Sequence, residues 1–374
     1  MKKKTRLLVL LAVFAGVFLT QPLLSRVSVP PLHVGLLAIF GGAVTGNLLT
    51  QLGLAVLARP AGLAPTLYLV GAGRRVRTVR LGRCPLVLRT VPLPFLAGSY
   101  QLTPGPRWRA WTAVTAAYLP APVLGVWLLA TGEGGWQPFG LMLAAPLLEL
   151  AVQAAFPGCP GWVVLRMPLA SPAVLAQVYA TPGQAVAARA LEGGRIGEAA
   201  AALAAEPGNG TLTDGLFRVR VLLATGEWAA ALERAERITV AAPVARVGWL
   251  ADLVRAEALV CAADAGLLPP AEYLPRLAAA VDAVGDRRPG AAVRADLHRL
   301  RGDWEQAVKC AAPAARRALD AWGAADAACS LAAALQAAGR PEEARRALAR
   351  AHGVLPGLAR TALVERRAAA VVLD

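Results

Sequence analysis

Residues 46–100 read GNLLTQLGLAVLARPAGLAPTLYLVGAGRRVRTVRLGRCPLVLRTVPLPFLAGSY, and the fold turns on them. Gly46 to Ala58 is free of charge and predicts the end of an apolar helix, which Arg59-Pro60 stops because proline disfavours helix in the residue before it. Val76, Val79, Leu81 and Val87 then intersperse with arginines, a strand-like pattern. Val91-Pro92-Leu93-Pro94 reads as the turn that ends this basic ribbon.

Upstream, the uncharged run reaches back to Pro31 and is 28 residues long, enough to span a bilayer with tilt. Leu7 to Leu24 is an uncharged run of 18 residues behind a basic head, MKKKTR. It reads as a first span or as a cleaved signal, although no small-x-small cleavage site is evident. Downstream, Ala110–Ala130 reads as a third span with Trp108, Trp111 and Trp127 near its ends. Phe139–Phe156 reads as a fourth, with Glu149 inside it as a candidate functional carboxylate.

The chain has 374 residues, a mean hydropathy of +0.50 and a net charge of +15. Residues 1–170 hold 15 Lys or Arg against two acids, and residues 171–374 hold 24 against 22. The excess lies in loops beside apolar runs, as in a membrane protein whose basic loops stay inside, and this distribution argues against nucleic-acid binding. Nine arginines and no acid fall between Arg59 and Arg109, suiting either anionic lipid headgroups or topology alone. The charges predict four spans with the ribbon, both termini and everything after Trp162 cytoplasmic. Five scattered cysteines (Cys84, Cys159, Cys261, Cys310, Cys329) read as free thiols, and His33, His298 and His352 as lone histidines, so spacing suggests no metal cluster.

The layout of residues 30–165 resembles the site-2 protease family, the zinc metalloproteases that cut within membranes. In that family a His-Glu-x-x-His helix is followed by a Gly-x-Gly turn and a β-ribbon. Here Thr50-Gln51-Leu52-Gly53-Leu54 stands at the motif, Gly71-Ala72-Gly73 resembles the turn, and Val91 to Pro94 the ribbon's end. The family's later Asn-x-x-Pro and Asp-Gly are matched by Pro157 and Gly161, with Ala154 for the asparagine and Pro160 for the metal-binding aspartate. Tyr118-Leu119-Pro120-Ala121-Pro122 keeps only the proline of the family's Ala-Gly-Pro. The resemblance implies the membrane fold. Thr50, Gln51, Leu54 and Pro160 argue against the reaction, because two helix-borne histidines, a general base and a third ligand are all replaced. No zinc and no other cofactor is expected.

After about Val174 the composition turns to Ala, Arg, Glu and Leu with helical periodicity. A pattern recurs as Gly194 with Ala199, Gly226 with Trp228 and Ala231, Gly302 with Trp304 and Ala307, and Gly339 with Ala344. Pro243 and Pro356 each lie 17 residues after a motif glycine, and the 76-residue gap leaves room for one more unit around Gly266. This resembles the tetratricopeptide repeat, in which glycine opens the turn of a helix pair, alanine allows close packing and proline ends the pair. An irregular alanine-rich bundle is the alternative. Trp228 and Trp304 share a repeat position and are expected between helices.

The sequence thus predicts a mainly α protein. Residues 1–170 form a four-span membrane domain (spans 7–24, 31–58, 110–130 and 139–156) with a small cytoplasmic β-ribbon. Residues 171–374 form a cytoplasmic α-solenoid of helix pairs. The expected role is a catalytically inactive adaptor or regulator in a bacterial cytoplasmic membrane, in contact with the lipid bilayer and binding a protein partner on an extended concave surface. Alternatives are an active protease with atypical ligands and a plain membrane-anchored scaffold.

Overall fold

Helix α1, Leu32–Leu57, is the axis of the first half of the molecule. A computed structural model describes residues 31–371 except 83 and 319, so the apolar run at 7–24 lies outside the described residues. Gly42, Gly46, Thr50 and Leu54, spaced by four, are buried along one face of α1. A Cβ on Gly42 would strike the Phe139 carbonyl, and one on Gly53 would crowd Ala117. Small residues thus let neighbouring backbones approach.

Beyond the ribbon come α2 (Arg107–Tyr118) and α3 (Pro120–Thr131), one apolar stretch joined at Leu119 and Pro120. The Leu119 and Val123 amides donate to Thr115 and Leu119 at 2.9 and 3.0 Å, so the helical path continues through the joint. The run at 139–156 is not one continuous helix. Ala144, Ala145 and Pro146 divide it into α4 (Trp136–Leu143) and α5 (Pro146–Gln153), each eight residues long, because Pro146 opens a new helix rather than continuing the old one. Among the described residues, two stretches, Leu32–Leu57 and Arg107–Thr131, are long and apolar enough to cross a membrane by length and composition. Leu37, Leu52, Val56, Val126, Trp127, Leu148 and Val152 form an outward apolar surface on α1, α3 and α5.

Strands β1 (Leu63–Leu81) and β2 (Cys84–Leu102) pair antiparallel. Tyr68, Leu69 and Val70 take partners both in 96–98 and in 86–88, so the inner end is three strands wide. Gly71-Ala72-Gly73 is not a turn before the ribbon. It lies inside β1 where the register slips, with φ of +86° and +88° at its glycines, a backbone that residues with a side chain rarely adopt. Val91 to Pro94 likewise does not end the ribbon. Pro92 and Pro94 lack the N–H for a ladder bond, and pairing resumes at Leu96.

The short α6 (Pro160–Leu165) and α7 (Pro172–Val178) complete this half. Its core joins Leu54 of α1 and Ala58 just beyond it to Leu63, Leu102, Tyr118, Trp162 and Leu175.

The rest is helical: α8 (Pro182–Glu192), α9 (Ile196–Ala204), α10 (Leu212–Thr225), α11 (Trp228–Glu236), α12 (Trp249–Asp264), α13 (Pro270–Val284), α14 (Ala291–Leu300), α15 (Trp304–Arg317), α16 (Ala321–Ala337), α17 (Pro341–Val354) and α18 (Ala359–Val371). Successive helices pack as hairpins, and α8, α10, α12, α14 and α16 also pack in series as an inner layer. Helix α16 returns to α8, while α18 packs on α10, α12 and α16. The inner layer therefore closes with α18 against it, and one apolar core runs from Ile196 to Val364.

Candidate functional site

Thr50, Gln51 and Leu54 are buried on α1 where the protease motif would stand. Gln51 Oε1 accepts the Gly98 amide at 2.9 Å, and Asn47 Oδ1, one turn earlier, accepts the Leu96 amide at 2.8 Å. Gly98 and Leu96 are two apart on β2 and so share an edge, while Asn47 and Gln51 are four apart on α1 and share a face. The two carboxamides clamp the ribbon to the helix. Thr50 Oγ1 is buried with no hydrogen-bond partner. Leu54 is core, in one cluster with Trp162 and Val163. Pro160 opens the helix carrying those two residues, and Gly161 lies so close to α5 that a Cβ would collide with the Leu150 carbonyl.

Among the described residues no three His, Cys, Asp or Glu side chains converge as a metal ion would require. Glu149 is exposed and accepts from Gln153 Nε2 at 2.6 Å, and His33 is exposed.

The repeat glycines Gly194, Gly226, Gly302 and Gly339 each stand between the helices of one hairpin with φ between +71° and +89°. Gly266 does the same between α12 and α13 at +73°. Ala199, Ala231, Ala307 and Ala344 are buried within their hairpins. Pro243 falls in the 3-10 turn before α12, and Pro356 between α17 and α18 beside Gly194. Trp228 is half-buried against the main core, but Trp304 is 49% exposed, which corrects its expected place between helices. The shared motif position fixes where a side chain starts; the neighbouring hairpin decides whether anything covers it.

Sequence reasoning missed a buried ionic network on the inner layer. Arg360 of α18 is 2% exposed, donates to Asp296 Oδ2 of α14 at 2.7 Å and pairs with Asp326 of α16. Ser330 donates to the same Asp296 oxygen at 2.6 Å. Arg299 donates to both oxygens of Asp264 on α12, at 2.9 Å each, and Arg367 of α18 reaches that carboxylate too. Burial pushes the Asp296 carboxyl up, but Arg360, Arg299 and Ser330 together bring it below its ordinary value. Nearby, Glu257 accepts from Trp322 Nε1 at 3.2 Å with Arg220 3.7 Å away, and burial outweighs both to push it up to about 7. Acids and arginines balance, and the pairs join four helices, so the network fixes how α18 seats. Its only sequence signal is charge on the apolar faces of alanine-rich helices.

A further contact joins the two halves. Arg75 of β1 donates to the Glu192 carbonyl of α8 at 3.0 Å and to Thr78, while its other nitrogen stays 3.9 Å from the Glu192 carboxyl. That carboxyl accepts the Ala321 amide at the start of α16, at 2.9 Å. Burial and then Asp320 push Glu192 up to about 8, against the pull of Ala321 and Arg75.

Comparison of the chain with protein-family models, curated proteins and solved structures finds no match.

Proposed function

We propose that this chain is a non-catalytic membrane adaptor. In this reading its first half resembles a site-2 protease that has lost its metal site, and crosses the bilayer four times. The second half is a tetratricopeptide-like array held at the cytoplasmic face and recognising a protein partner. The observation carrying the proposal is Gln51. The residue at the general base's position is a carboxamide whose oxygen accepts the Gly98 amide, so it braces a strand and is too weakly basic to take a proton. The outward apolar surface of α1, α3 and α5, with glycine-mediated packing beneath it, supports the membrane assignment.

Closure of the inner layer by α18 moves the partner surface to the outer helices α9, α11, α13, α15 and α17, where Trp304 offers an exposed aromatic anchor. The Arg75–Glu192 contact supports a ribbon and array on one side of the membrane. Single cysteines at exposed Arg80 and Ala229, in a background lacking native cysteines, test this. Both should resist an impermeant reagent in intact cells and react after permeabilisation. Labelling of either in intact cells would contradict the topology.

A further inference from the structure

One cavity lies where the apolar surface of α1 ends. It holds about 270 Å³ and is lined by Arg59, Gly62, Cys84 and Thr103 of the first half and by Arg189 of α8. Arg59 follows α1 by two residues. Neither Arg59 nor Arg189 makes a side-chain hydrogen bond or ion pair among the described residues. Other arginines around them are engaged: Arg75 with Glu192, Arg107 with the Ala170 carbonyl, and Arg195 with Glu198. No carboxylate lines the cavity. Glu192 is within electrostatic reach of Cys84 in its wall, but Glu192 faces Arg75 and the Ala321 amide, and burial favours its neutral form. Exposed Arg59 and half-buried Arg189 thus both line this cavity, beside Leu63, Ala64 and Pro65, without an acidic partner.

Guanidinium groups match the oxygens of phosphate through paired N–H donors and stay charged at any physiological pH. The volume is near the lower end of small-molecule sites, roughly 300 Å³, and suits a phosphoglycerol group. We propose that this cavity binds a phosphate-bearing anion between Arg59 and Arg189, the phosphate being that of an anionic phospholipid whose acyl chains lie along α1. The source as lipid rests on the membrane reading above; the anion site rests on the cavity alone. An occupant would tie the ribbon's base to α8 and so stabilise the docking of the two halves.

The test is thermal unfolding of the full chain in neutral detergent with short-chain phosphatidylglycerol, short-chain phosphatidylcholine or inorganic phosphate. Phosphatidylglycerol should raise the melting temperature and phosphatidylcholine should not. Arg59→Gln and Arg189→Gln should each raise the half-effective concentration of phosphatidylglycerol at least about tenfold, the loss expected for one charge-assisted contact. Arg237→Gln, on an exposed pair outside the cavity, should leave it unchanged. Arg59→Lys and Arg189→Lys keep the charge and should recover part of the response, separating lost binding from lost folding. Equal stabilisation by both lipids, or a response that survives both Gln variants, would overturn the proposal. Equal stabilisation by inorganic phosphate, lost in the Gln variants, would support the anion site and overturn its lipid source. A chain recovered in the soluble fraction without detergent would sink the membrane reading, and the phosphate arm would still test the cavity.

Discussion

Gln51 illustrates how far single residues can be read. In the proposed protease resemblance it stands where a general base would, and a carboxamide does not titrate near neutral pH. What replaced that role was not legible, because the partner amide belongs to Gly98, 47 residues away. Gln51→Leu would leave that amide without its acceptor in a part-buried place. It should cost about 1–3 kcal/mol, read as a lower midpoint in thermal unfolding of the detergent-solubilised chain. Gln51→Glu keeps an acceptor oxygen and should cost less. Equal melting of Gln51→Leu and the parent would remove the clamp. Trp304 shows the opposite failure: its motif position was legible and its exposure was not, because exposure depends on what packs over α15.

At the level of elements, the hairpin turns were the most legible feature. Gly194, Gly226, Gly302 and Gly339 take positive φ, which side chains disfavour, so the backbone itself demands glycine there. Buried alanines beside them follow from the close approach of paired helices. The seat of α18 was hidden, since Arg360 reads as one arginine among 35 until Asp296 and Asp326 are brought to it by helices 64 and 34 residues away in sequence. Arg360→Met should destabilise the array by about 3–5 kcal/mol, because it leaves two buried carboxylates short of their cation. Arg345→Met, which removes only the exposed pair with Glu342, should leave the unfolding curve unchanged. Similar curves for the two variants would mean that the network does not hold α18.

The whole molecule is two halves joined through the ribbon, and that joint carries a pH dependence. Glu192 is raised from 4.5 to about 8, and Glu257 is raised too. A carboxyl with a higher pKa folded than unfolded binds its proton more tightly in the native state. Its contribution is complete below the unfolded value and is lost as pH rises through the folded one. The melting temperature should therefore fall from about pH 4.5 to about pH 8 and level off above it, and Glu192→Gln should flatten that fall. A profile that rises across this window would contradict the assignment. Composition announced two unlike halves, but closure of the inner layer arises from contacts between α8, α16 and α18 that no local pattern encodes. The central claim is that the first half, in its proposed resemblance to a site-2 protease, has no metal chemistry, with Thr50, Gln51, Leu54 and Pro160 at the four positions that would supply it. Metal analysis of the purified full chain after saturation with zinc and removal of loosely held ions tests it most directly. The account predicts no stoichiometric zinc, and none gained in Gln51→Glu, since a base without a metal-bound water has nothing to activate. One tightly held zinc per chain, lost on substitution within residues 50–54 or 154–160, would contradict it.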